Sequence, residues 1–133
     1  TNRLRALGDG EDGGSALHAL TTLEELYLAH NAITQLGGAV RTLGALDTLD
    51  LTGNRLTSLD GSQHLTSLTE FWCSSNHIPT FEALAPASDA LGATLSCIYL
   101  EHNPLAKEYD YRQRVAALFP GITQIDATMV RRG

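Results

Sequence analysis

The sequence predicts an α/β solenoid: a parallel concave sheet of short strands, short helices or turns on the convex side, and a helical carboxy-terminal cap. Three observations carry this. A spacing of the form Leu-x-x-Leu-x-Leu-x-x-Asn-x-Leu occurs four times in register. Inside each copy apolar and outward residues alternate with the period of a strand. After the fourth copy the apolar residues change to a helical spacing.

The four copies run Leu23–Ile33, Leu46–Leu56, Leu68–Ile78 and Leu95–Leu105, and their asparagines stand 23, 22 and 27 residues apart. This is the leucine-rich-repeat template. The inward set, Leu26 and Leu28, Leu49 and Leu51, Phe71 and Cys73, Ile98 and Leu100, is expected to stack as one continuous core. A single copy cannot bury that face alone, so each must lie beside the next, about 4.8 Å away. Asn31, Asn54, Asn76 and Asn103 are expected to form a column whose amides, with both donors and an acceptor, satisfy backbone groups of adjacent turns. Their role is structural.

Between copies, Leu36, Leu59 or Phe81 leads a returning half that forms the convex side. The third return, 82–94, has room for a fuller helix around Pro86–Leu91, with Pro86 or Ser88 near its start. Its length is expected to displace Tyr99 relative to Trp72. Tyr111, Val115, Leu118 and Phe119 make a helical stripe that Pro120-Gly121 stops, and Ile122 and Ile125 supply a last strand-like turn. That segment suits a terminal cap, apolar inside and polar outside, with its five basic residues on the solvated side.

The expected organisation is therefore a single domain. Residues 1–22 are a partial repeat carrying an inserted loop, 23–105 the four repeats, and 106–133 the cap. The insertion, Gly8 to Gly14, is acidic and glycine-rich but lacks the alternating aspartates and closing glutamate of a calcium loop. The chain begins at Thr1, and Asn2–Leu7 repeats the spacing of Asn54–Leu59, so the expectation is a carboxy-terminal fragment of a longer solenoid. An apolar edge exposed near residues 2–28 would then favour self-association.

Residues 1–106 carry four arginines against twelve acids, while residues 107–133 carry five basic residues against three acids. An acidic repeat body argues against nucleic acid, which needs a basic footprint. No tract is long enough to span a bilayer, so no membrane partner is expected. Cys73 takes a core position and Cys97 an outward column, so no disulfide is expected between them. Catalysis finds no support: His30 and His102 share a column but lie three repeats apart, about 14 Å, too far for one metal. No nucleophile–base pair or phosphate-binding loop can be assembled, and no cofactor is expected.

The outward residues line up in columns. One is Tyr27, Asp50, Trp72, Tyr99; another is Glu25, Thr48, Glu70, Cys97; a third is Ala29, Thr52, Ser74, Glu101. Aromatic residues flanked by carboxylates on such a face are the composition of a protein-binding hot spot. That reading is preferred over aromatic stacking that serves the sheet alone. Partner-binding candidates are Glu25, Tyr27, Asp50, Glu70, Trp72 and Tyr99.

Leu68-Thr69-Glu70-Phe71-Trp72, Ile98–Leu105, Tyr111–Val115 with Phe119-Pro120, and Gln124–Arg131 together resemble the carboxy-terminal end of the leucine-rich-repeat regulatory subunits of protein phosphatase 1. The Asn-Pro and capping segment is shared with other repeat proteins, a spliceosomal one among them. The resemblance implies a non-catalytic scaffold in nucleus and cytoplasm that binds the phosphatase catalytic subunit through its concave face. In that family acidic and aromatic concave residues make the contact; the matching positions are Asp50, Glu70, Trp72 and Tyr99. A general adaptor with another protein partner is the alternative.

Overall fold

A computed structural model describes residues 22–36 and 40–130. Five strands stack in parallel in chain order: β1 (Glu25–Tyr27), β2 (Thr48–Asp50), β3 (Glu70–Trp72), β4 (Cys97–Tyr99) and β5 (Gln124–Ile125). A sixth, β6 (Thr128–Met129), closes the sheet antiparallel to β5. The register follows the sequence repeat, with Leu26, Leu49, Phe71, Ile98 and Ile125 side by side. All five are buried, and the core runs unbroken through Leu28, Leu51, Cys73 and Leu100 beneath them. The inserted loop and most of the expected exposed edge lie outside the described residues. Of that edge, Leu26 and Leu28 are buried.

The asparagine column does the bonding its chemistry suggests. Asn54 Nδ2 donates to the carbonyls of Leu51 in its own repeat and Leu28 in the one before, at 2.9 and 3.0 Å. Its Oδ1 accepts the amides of Asn31 and Ile33 at 3.0 and 2.9 Å. Asn76 repeats the pattern with Leu51, Cys73 and the amide of Leu56, and Asn103 with Cys73, Leu100 and the amide of Ile78. The residue before each asparagine adopts a left-handed conformation: His30, Gly53, Ser75 and His102 have φ of 61°, 74°, 58° and 64°. Gly53 is the constrained member. A Cβ there would stand 2.3 Å from Nδ1 of the His30 ring, so a side chain would add a clash to the strain of a positive φ.

The long third return is absorbed on the convex side. A 3-10 turn (Phe81–Leu84) leads directly into α1 (Ala85–Leu91), with Pro86 in its first turn. Proline is tolerated there because the amide it lacks would have no intrahelical partner. The expected displacement of Tyr99 does not occur: Trp72 and Tyr99 are direct neighbours across β3 and β4. Extra residues on the outer side lengthen the loop without moving the strands it joins.

The cap is built on α2 (Tyr111–Leu118), which buries Tyr111 and Val115. Two of its basic residues are not simply solvated, contrary to expectation. Arg112 donates to the carbonyls of Ile125, Thr128 and Met129 at 2.9, 3.2 and 3.4 Å, tying the helix to the terminal strand pair. The guanidinium of Arg114 lies 3.9 Å over the Phe81 ring. A guanidinium offers a planar fork of donors and a face that stacks on rings, so it can staple a cap in ways a lysine cannot. Among the described residues no helix is long and apolar enough to cross a membrane.

Candidate functional site

Because side chains alternate along a strand, burying the leucines leaves the first and third residue of each strand on the concave face. Tyr27, Asp50, Trp72 and Tyr99 form one column across β1–β4, and Glu25, Thr48, Glu70, Cys97 and Gln124 the column beside it. All six predicted partner-binding residues thus share one surface.

They are not equally free. Tyr27 is 46% exposed, whereas Trp72 and Tyr99 are half-buried. The Trp72 ring bridges the two tyrosines, with centroids 6.0 Å from Tyr27 at 52° and 6.3 Å from Tyr99 at 73°. Both are within the tilted and edge-on range in which aromatic pairs contribute about 0.5–1.5 kcal/mol. The indole N–H of Trp72 donates to Glu70 Oε1 at 3.2 Å and the Tyr27 hydroxyl to Glu25 Oε1 at 2.9 Å, so each carboxylate orients the ring two residues on. Gln124 Nε2 donates to the Tyr99 hydroxyl at 3.0 Å and to the Asp126 carbonyl at 2.7 Å, holding the last aromatic from the cap. The column is an aromatic ladder and an acidic surface at once.

The electrostatics agree with the residue types. The Tyr27 phenol is raised above its ordinary value, first by its hydrogen bond to Glu25, then by slight desolvation and the charges of Glu25, Asp50 and Glu70. Asp50 spends one oxygen on the amide of Thr52, at 3.0 Å.

Cys97 holds its expected place in the column but not the exposure of a surface position. It faces the concave side as expected, yet it is only 7% exposed, because Glu70, Tyr99 and Gln124 surround it. Its thiol is pushed up to about 11 by burial, then by the charges of Glu70 and Asp126. Such a thiol is protonated near neutral pH and is no nucleophile. Both cysteines are free. Among the described residues no group of three or more histidine, cysteine, aspartate or glutamate side chains could hold a metal ion.

Several residues outside the predicted set belong to this surface. Ser74, Glu101 and Gln124 line the same concave hollow as Trp72 and Tyr99. Ser74 and Glu101 sit in the third column. Extending the columns by the 27-residue step from Ile98 to Ile125 would have reached Gln124.

A model of the leucine-rich repeat family matches residues 2–56 and 21–78. The chain belongs to the leucine-rich-repeat family. Among curated relatives, a protein phosphatase 1 regulatory subunit of Dictyostelium discoideum, pprA, is 38% identical over 78 residues, covering 59% of this chain and 22% of that protein. A U2 small nuclear ribonucleoprotein A' of Candida glabrata is 34% identical over 85 residues, covering 64% of this chain and 32% of that protein. The chain therefore spans between about a fifth and a third of the length of these relatives. Of solved structures, the Drosophila melanogaster SNF/U2A' complex contains a chain that superposes with a TM-score of 0.74 at 20% identity, covering 94% of this chain and 70% of that one. It establishes the solenoid fold.

Proposed function

We propose that this chain is a non-catalytic protein-binding element that engages the catalytic subunit of protein phosphatase 1 through its concave face. The carrying observation is the braced column in which Glu70 orients Trp72 and Trp72 meets Tyr99, on a face surrounded by carboxylates. Hot spots favour large aromatic side chains held in one orientation, because little side-chain entropy remains to be lost on binding. The phosphatase as partner is supported by the sequence motifs at 68–76 and 98–131 and by the identity to the Dictyostelium regulatory subunit. Capture of the phosphatase catalytic subunit on the immobilised chain is the test. Trp72→Ala and Glu70→Ala should each reduce recovery at least tenfold, about 1.4 kcal/mol; undiminished recovery with both refutes the site.

A second reading has its own support, the identity to the Candida glabrata ribonucleoprotein A'. In it the same face serves as a general adaptor for a different protein. Unbiased partner capture that returns proteins but no phosphatase favours it.

A further inference from the structure

Between β3 and β4 the concave face holds a hollow of about 490 Å³, walled by Trp72 and Tyr99 and bordered by Glu70 and Glu101. Ser74 lines it and is only 8% exposed. Its Oγ has no hydrogen-bond partner, the one such buried side-chain oxygen or nitrogen among the described residues. That oxygen is itself enclosed, so Ser74 shapes the hollow without offering a bond to what enters it.

The surroundings specify what that is. Glu70 uses one oxygen on the Trp72 indole, and among the described residues neither Glu70 nor Glu101 has an ion-pair partner. No lysine or arginine lines the hollow, and His102 is its single basic-type side chain. The Cys97 thiol beside it is raised first by burial and then by the charges of Glu70 and Asp126. Gln124 pins the Tyr99 wall through its hydroxyl. Two carboxylates and two aromatic walls in one hollow match a cation with N–H donors and an apolar stem. An acidic group would be repelled, and a neutral apolar one would leave the carboxylates unanswered.

We propose that this hollow takes a single cationic side chain, lysine or arginine, from the partner protein. Its charge lies between Glu70 and Glu101, and its stem or guanidinium plane lies against Trp72 and Tyr99. The proposal rests on the concave face being the protein-binding surface and adds the chemistry of the anchor.

Trp72 is the only tryptophan of the chain, so its indole N–H resonance reports on this hollow alone. Blocked Gly-Gly-X-Gly-Gly peptides with X as arginine, lysine, citrulline or norleucine are titrated into the folded chain to millimolar concentration. The arginine and lysine peptides should move the resonance saturably, and the citrulline and norleucine peptides at least tenfold more weakly. Glu101→Gln and Glu70→Gln should each weaken the cationic peptides at least threefold, with amide spectra confirming that both variants fold; Glu82→Gln, exposed on the convex side, should not. Equal responses to arginine and citrulline overturn the proposal, as does unchanged affinity in both hollow variants. Phosphatase capture is read separately. Cation selectivity without phosphatase recovery upholds the hollow and refutes the phosphatase, and recovery without cation selectivity does the reverse.

Discussion

The two ends of each strand solve the same problem with different chemistry. Where the chain leaves the strand, a buried asparagine amide serves backbone groups of two repeats at once, as Asn54 does with Leu28, Leu51, Asn31 and Ile33. Where the chain arrives, one carbonyl of the preceding repeat accepts two successive amides: Asp47 O from Thr69 and Glu70, Thr69 O from Ser96 and Cys97, Ser96 O from Thr123 and Gln124. Hydroxyls add to this ladder: Ser96 Oγ and Thr123 Oγ1 donate to the carbonyls of Thr69 and Ser96 at 3.0 and 3.1 Å, while Thr69 Oγ1 donates to the Asp47 carboxylate at 2.6 Å. The first ladder is dry and depends on one side chain per repeat. The second borders solvent and rests mainly on backbone. Side-chain identity matters where no water can substitute for it.

That contrast fixes the order of expected losses. Asn54→Ala strands several buried backbone groups and should cost on the order of 3 kcal/mol in urea unfolding. A loss under about 0.5 kcal/mol would make the two ladders equivalent and break the comparison. Tyr111→Phe comes next. Its hydroxyl donates to Asp126 Oδ2 at 2.9 Å, while Asp126 Oδ1 accepts the amides of Leu100 and Glu101 at 2.8 and 3.0 Å, so a carboxylate ends the stack where the asparagines stop. Removing a hydrogen bond to a charged group should cost about 2 kcal/mol. Thr69→Val, at the solvent-bordered ladder, should cost about 0.5 kcal/mol.

The same tyrosine sharpens the cap end through pH. Its phenol is raised above the ordinary value of 10.0, first by burial, then by the charge of Asp126 and the hydrogen bond to it. In the unfolded chain the phenol loses its proton near pH 10, while the folded chain keeps it, so the unfolded state binds fewer protons there and stability falls as pH rises. This contribution is whole below pH 10 and lost progressively above it. Denaturant midpoints between pH 9 and 11 should show the decline, and Tyr111→Phe should reduce it, leaving the part that the raised Cys73 and Cys97 thiols contribute. The smallest perturbation is chemical. Cys73, whose thiol is pushed well up by burial and then by Asp50, and Cys97 should both react slowly with a thiol reagent at pH 8 and quickly in denaturant. Rapid native labelling of Cys97 would show that the floor of the hollow is open.

The sequence made the strands, their register and the asparagine column legible, because a buried residue repeated at fixed spacing leaves a pattern that nothing else explains. Asn31 to Asn103 could be read as a column before any coordinates. The hydroxyl ladder could not, since Asp47, Thr69, Ser96 and Thr123 share no single residue type and the amides beside them would bond regardless. The outward columns were legible as geometry, and the positions of Glu70, Trp72 and Tyr99 follow from it. Their bracing was not. Gln124 reaches Tyr99 from beyond the last full repeat, and the burial of Cys97 depends on side chains from three strands. The contacts of Arg112 and Arg114 were not legible for a related reason: a long basic side chain has reach that no spacing records, so whether it meets solvent, carbonyls or the Phe81 ring is decided by the packed cap.

The proposed function places Trp72 at the contact between the concave column and a protein phosphatase catalytic subunit. Its most direct test is the equilibrium affinity of that catalytic subunit for the wild-type chain, for Trp72→Ala, and for the convex-side control Glu82→Gln. The account expects binding by the wild type, unchanged binding by the control, and a loss of at least tenfold with Trp72→Ala at unchanged folding. Equal affinity for wild type and Trp72→Ala would contradict it.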